Sequence, residues 1–117
     1  MKRDVSVFLT DVKESIARIA DYTRGIEKEK FLRDTQVQDA VIRRLEVIGE
    51  AVKNIPDDVR EKYPDVRWAQ IAGLRDVLIH AYFGVNLERV WLVVEKDLPE
   101  LKANIVKILK DSKRSGK

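Results

Sequence analysis

The sequence predicts an all-α protein, an up-and-down bundle of four long helices with short helical pieces between them. Two observations carry that expectation. Apolar residues recur three and four positions apart through four separate stretches, and no stretch alternates apolar and polar residues as a half-buried strand would. Charged residues make up 37% of the 117 positions while Gly and Pro together number eight, a balance that suits helices with solvated faces rather than a loop-rich or all-β chain.

Taken in order, residues 4 to 24 place Val5, Phe8, Leu9, Val12, Ile16, Ile19 and Ala20 on one side of a helix and Asp11, Lys13, Glu14 and Arg18 on the other, with an end near Gly25. The charged run EKEKFLRD reads as a connector that anchors on the core through Phe31 and Leu32. Asp34 or Thr35 is placed to cap a second helix reaching about Ile55, with an apolar stripe of Val37, Val41, Leu45, Ile48, Val52 and Ile55. Gly49 lies beside that stripe and would let another helix approach closely. Pro56 stops the helix, and the two prolines of IPDDVREKYPDV leave room for at most a short helical turn.

Asp65 is then placed to cap a third long helix that starts near Trp68 and ends at Tyr82 or Phe83, with Gly84 beyond its C-terminus. Asn86 is expected to cap the last helix, whose stripe runs from Leu87, Val90, Trp91 and Val94 to Leu98, Leu101, Ile105, Ile108 and Leu109. Pro99 is expected to kink or restart it near Leu98. Trp68 and Trp91 fall on apolar stripes and read as core. One domain over residues 1–112 is expected, followed by a basic, disordered tail at 113–117.

Composition narrows the function classes. With no Cys there is no disulfide framework, which suits a reducing, cytoplasmic setting. No apolar run approaches a membrane span, and the charged N-terminal stretch lacks the apolar region of a signal peptide. The net charge of +3 is a property of the end of the chain: residues 100–117 hold six Lys/Arg against Glu100 and Asp111, a local +4, leaving −1 for the rest. Such an end touches nucleic acid weakly at best, and a solvated helix end is the commoner meaning.

Polar chemistry concentrates in RDVLIHAYFGVN, residues 75–86, which holds the single histidine, His80. At about 100° per residue, Ile71, Leu74, Leu78 and Ala81 define the core-facing stripe of that helix. Arg75 and Tyr82 then share one edge of the stripe, and Asp76 and His80, four apart, lie nearly opposite the core. A lone histidine is usually a satisfied core residue, but that reading requires His80 to lie in the stripe, and it does not. The Asp76 carboxylate, one turn away, would fix the imidazole tautomer and favour its charged form. From spacing alone Tyr82 reads as a helix-end aromatic and Arg75 as a surface ion pair with Asp76 or Glu50. Glu46 and Glu50 resemble half of a metal site, but no second helix carries Glu-x-x-His, so a charged face is the better reading and no metal or other cofactor is expected.

The group nonetheless suits RNA phosphodiester cleavage. That reaction needs the 2′-hydroxyl deprotonated, charge on the phosphate stabilised and the leaving oxygen protonated. A guanidinium at Arg75 serves the second need and an imidazole at His80 serves proton transfer near neutral pH. One histidine does not serve as base and acid together, and a two-fold homodimer that brings two motifs into one cleft removes the shortage.

At these residues the chain closely resembles the HepT-like toxins of the HEPN superfamily, small all-α proteins whose signature is Arg-x4-His-x-Tyr. Here the signature reads Arg75-Asp76-Val77-Leu78-Ile79-His80-Ala81-Tyr82. The blocks VIRRLEVIGEAVKNIP at 41–56, RWAQIAGLRDVLIHAYFGVN at 67–86 and VWLVVEKDLPELK at 90–102 also look like that family. The resemblance implies a HEPN-like bundle and a metal-independent endoribonuclease acting as a homodimer, the toxin of a type VII-like toxin–antitoxin pair. It implies Arg75 and His80 as the catalytic residues and Asp76 as the residue that orients the site. The implied partner is a minimal nucleotidyltransferase antitoxin that transfers AMP from ATP onto Tyr82, where added charge would exclude an RNA phosphate. Two readings compete with it: a non-catalytic helical module that binds and regulates a nucleotidyltransferase, and a small nucleic-acid-binding protein that uses its basic end.

Overall fold

The computed structural model describes residues 4–74, 78 and 86–114, with side chains described as far as Ser112. Among the described residues every regular element is helical. The architecture is the all-α bundle that the spacing predicts, consistent with the HEPN-like fold that the resemblance implies.

Helix α1 spans Val5–Tyr22 and starts where Asp4 Oδ1 accepts the Ser6 amide at 3.0 Å. Its buried stripe centres on Val12 and Ile19, so Ser15 falls inside it and the Ala20 expected there is exposed. The helix closes at Thr23, and Gly25 takes a positive φ of 72°, the left-handed conformation that turns the chain back. The expected connector is itself a short helix, α2 (Lys28–Arg33), which drives Phe31 into the core with 0% exposure. The Phe31 carbonyl also accepts from Gln38 Nε2 at 2.9 Å, tying α2 to the next helix.

Helix α3 spans Thr35–Lys53, with Asp34 as the N-cap: its Oδ1 accepts from the Val37 amide at 3.2 Å. Val41, Leu45, Ile48, Val52 and, just past the helix, Ile55 are buried as expected, and Ile42 and Ala51 widen the stripe. A stripe this wide serves several neighbours, and α3 packs against α1, α2 and the chain after Trp68. After Pro56, α4 (Asp57–Lys62) folds back so that Arg60 donates to the Val52 carbonyl at 2.7 Å and the Ile55 carbonyl at 3.1 Å. The guanidinium thus ties α4 to the C-terminal end of α3, where carbonyls lack the amide four residues on that a continuing helix would supply.

One finding differs from the spacing argument and a second gives its expected restart near Leu98 a specific form. The third helix does not run unbroken from Trp68: α5 spans Trp68–Ala72, its N-cap is Arg67 rather than Asp65, no side chain caps it, and it closes at Gly73. Leu74 and Leu78 are again helical and buried. In the last helix, α6 (Leu87–Leu92) passes into a π-helical segment at Val93–Asp97 and then into α7 (Leu98–Arg114). Pro99 has no amide to donate, and in an α-helix its ring would press on the carbonyl of residue 95. The wider turn just before it, in which the Leu98 amide reaches back to the Val93 carbonyl, relieves that contact without ending the rod. The insertion also shifts the register, so Val93 and Leu98, five apart, are both buried while Val94 is only partly so. Among the described residues no helix is long and apolar enough to cross a membrane.

Candidate active site

Arg75, Asp76, His80 and Tyr82, with Ala81 and Gly84, lie outside the described residues. Their frame is described. Leu74, which precedes Arg75 in the chain, is 7% exposed, and Leu78 is 2% exposed. Both are core residues, as the expected stripe requires, and Ile71 is half-buried.

The close approach expected at Gly49 is present. A Cβ built there would lie 3.5 Å from the Ile71 carbonyl oxygen, 3.8 Å from that of Ala72 and 3.9 Å from Leu74 Cβ. The backbone leading into the motif thus rests directly on α3, and a side chain larger than alanine's at 49 would press on it. From the other side, Trp68 is buried and its indole N–H donates to the Tyr63 carbonyl at 3.0 Å, fixing the start of α5. Tyr63 is anchored in turn: its hydroxyl donates to Asp111 on α7 at 2.9 Å. Burial first, and then the hydrogen bond and negative charge of Asp111, push the Tyr63 hydroxyl above its ordinary range. Trp91 is buried too, its ring 5.2 Å from that of Phe31. Both tryptophans are therefore core, as expected.

Between α5 and the α6–π segment runs a groove that reaches Leu74, with Gln70, Arg89, Leu92, Lys96 and Asp97 along its sides. Leu92 is 49% exposed, the one large hydrophobic residue so exposed among those described. Asn86 stands at the N-cap of α6, but its side chain makes no capping hydrogen bond. Glu46 and Glu50 lie on the α1–α3 side beside Asp11 and Arg43, and among the described residues no set of three His, Asp or Glu is placed to hold a metal ion. The spacing argument did not single out Arg60, Tyr63 or the groove. The sequence signal for the groove was Arg89, Leu92 and Lys96, three and four apart, with two cations flanking an apolar residue off the main stripe.

A family model described as "Ribonuclease HepT-like" matches residues 12–108, which include the whole of the Arg-x4-His-x-Tyr motif. The chain belongs to that family. This HepT-like chain is 47% identical over 110 residues to the "Probable ribonuclease HepT" of Thermococcus cleftensis, covering 94% of this chain and 100% of that one. It is equally identical, over 110 residues, to a Methanocaldococcus jannaschii protein named as a candidate RNase, covering 94% and 91%. A third relative, from the same organism, is named as a gamma-glutamylcyclotransferase and candidate RNase. It is 47% identical over 111 residues, and the HepT-like chain spans 50% of its length. No solved structure matches the chain.

Proposed function

We propose that this HepT-like chain is a metal-independent endoribonuclease that works as a homodimer, the toxin of a toxin–antitoxin pair. What carries the reading is the coincidence of the family match with the motif: the stretch that matches ribonuclease HepT-like proteins contains Arg75, His80 and Tyr82 at the family's spacing. The names of the relatives support RNA as the substrate. The buried pair Leu74 and Leu78 supports the frame in which the motif is presented.

In this reading the RNA 2′-hydroxyl attacks its own phosphorus and the 5′-oxygen leaves, giving a 2′,3′-cyclic phosphate and a free 5′-hydroxyl. One His80 accepts the 2′-hydroxyl proton and the His80 of the second copy donates a proton to the leaving oxygen. Arg75 from both copies neutralises the phosphate as charge builds on it, and Asp76 orients the imidazole. A minimal nucleotidyltransferase neutralises the toxin by placing AMP on Tyr82, where the added phosphate competes with RNA for Arg75.

The test is cleavage of RNA in chelator by the purified chain, His80→Ala and Arg75→Ala. Cyclic phosphate ends from the parent and a loss of at least about 100-fold in either variant are expected. A chain that binds a nucleotidyltransferase yet cleaves no RNA, free or bound, would be a regulatory module instead. Mass spectrometry after incubation with the nucleotidyltransferase and ATP should find AMP on Tyr82.

A further inference from the structure

The groove beside Leu74 has a chemistry of its own. Its sides carry two cations, Arg89 and Lys96, against one carboxylate, Asp97. Neither cation has an ion pair or side-chain hydrogen bond with another described residue, and both are exposed. They stand seven residues apart on one continuous rod, so about 10 Å of axis separates them, and Leu92 lies between them, half exposed. Gln70 faces them from α5, and the groove holds about 280 Å³ of space.

An apolar side chain exposed between two cations that pair with no described residue is poorly suited to solvent and well suited to a ligand with a flat apolar face and negative charges on either side. Single-stranded nucleic acid is such a ligand: its bases pack on apolar surface while its phosphates seek Lys and Arg. Gln70 offers both a donor and an acceptor to a base edge, and Asp97 an acceptor for a base amino group. A folded acidic protein surface would match the cations but not the narrow groove with its buried leucine floor.

We infer that this groove is an RNA subsite that holds a nucleotide flanking the bond to be cut, with Arg89 and Lys96 on successive phosphates and the base seated against Leu92 and Leu74. Leu74, on the groove floor, is the residue immediately before Arg75 in the sequence. The inference rests on the ribonuclease reading for its substrate, but not for its binding chemistry.

The test separates the two. In full-length His80→Ala, binding of a short fluorescein-labelled single-stranded RNA is followed by anisotropy across a range of salt, with and without Arg89→Gln/Lys96→Gln. Two lost phosphate contacts should lower the log–log salt slope by about 1.4. Leu92→Ser should weaken binding and leave the slope unchanged. In the cleavage-competent chain the double variant should raise KM about tenfold with kcat nearly unchanged. Unchanged slope and KM in variants with normal circular dichroism would overturn the subsite and leave the ribonuclease reading intact. A changed sedimentation coefficient with unchanged KM would overturn it too, assigning the face to contact between copies. A slope lowered by the double substitution, together with a parent chain that cuts no RNA, would support the subsite and overturn the ribonuclease reading.

Discussion

The pair α1–α3 and the stretch from Trp68 to Asp97 are built on opposite plans. In α1 and α3 a side chain caps each start, the helices run 18 and 19 residues, and largely aliphatic stripes meet between them. In the second region a five-residue helix stops at Gly73, Asn86 caps with its backbone position alone, and a π turn precedes Pro99. The irregular region is also the one that brackets the motif and lines the basic groove. Regular helices bury surface most efficiently, so local irregularity concentrates where side chains must be aimed at something other than the core. Both regions bury side chains in one core, but only the first does so through long uninterrupted α-helices.

That division is open to attack by mutation. The largest stability effect is expected at Phe31, which has 0% exposure and stacks near Trp91: Phe31→Ala should lower unfolding free energy by about 3–5 kcal/mol in denaturant titration. A loss well below that range would mean α2 is a loose strap rather than part of the core.

Gly49 tests the seam between the halves. Gly49→Leu would push against the Ile71 and Ala72 carbonyls and should cost about 1–3 kcal/mol. Gly49→Ala, whose Cβ meets nothing closer than 3.5 Å, should be neutral or stabilising by up to about 1 kcal/mol through helix propensity. Equal effects of the two substitutions would refute the close approach.

The caps compare the two plans directly. Asp34→Ala removes an acceptor for the Val37 amide and should cost about 1 kcal/mol. Asn86→Ala removes no capping hydrogen bond and should change thermal stability by less than about 0.5 kcal/mol. A reversal of that order would show that the helix starts are not held as described.

A small effect that depends on pH is expected at Tyr63, where Phe deletes one hydrogen bond to Asp111, about 0.5–1 kcal/mol. Its hydroxyl is raised in the folded state, so its contribution is fully present below the unfolded tyrosine range near 10 and is lost as pH rises through the raised value. The parent should therefore lose stability faster than Tyr63→Phe in alkaline melts, and parallel curves would contradict the assignment.

The scaffold half was largely legible in the sequence because its order is local. Stripe, cap and stop lie within a few residues of each other at Asp34, Val41–Ile55 and Pro56. The six-residue α2 was not, since periodicity cannot separate so short a helix from a connector; only its anchor, Phe31, was visible. The break at Gly73 escaped because a glycine within a helical pattern is a weak breaker whose effect depends on what packs against it, here α3 at Gly49. Pro99 announced the restart of the α-helix at Leu98 but not its form, a π turn immediately upstream. Arg60 reaches back five and eight residues to α3, a contact that depends on how the Pro56 turn is folded. For the site, the motif supplied the proposed residues Arg75, Asp76, His80 and Tyr82, which lie outside the described residues, and spacing supplied the buried frame of Leu74 and Leu78. The groove escaped because it exists only once α5 lies against the last helix.

The central claim, that the irregular half presents an RNA-cleaving motif while the regular half only holds it, is tested most directly by one comparison. RNA cleavage in chelator is measured for the parent, His80→Ala and Asp34→Ala at a temperature where all three are folded. The account predicts cyclic phosphate products from the parent and Asp34→Ala at similar rates, and a loss of at least about 100-fold in His80→Ala. Full activity in His80→Ala would contradict it.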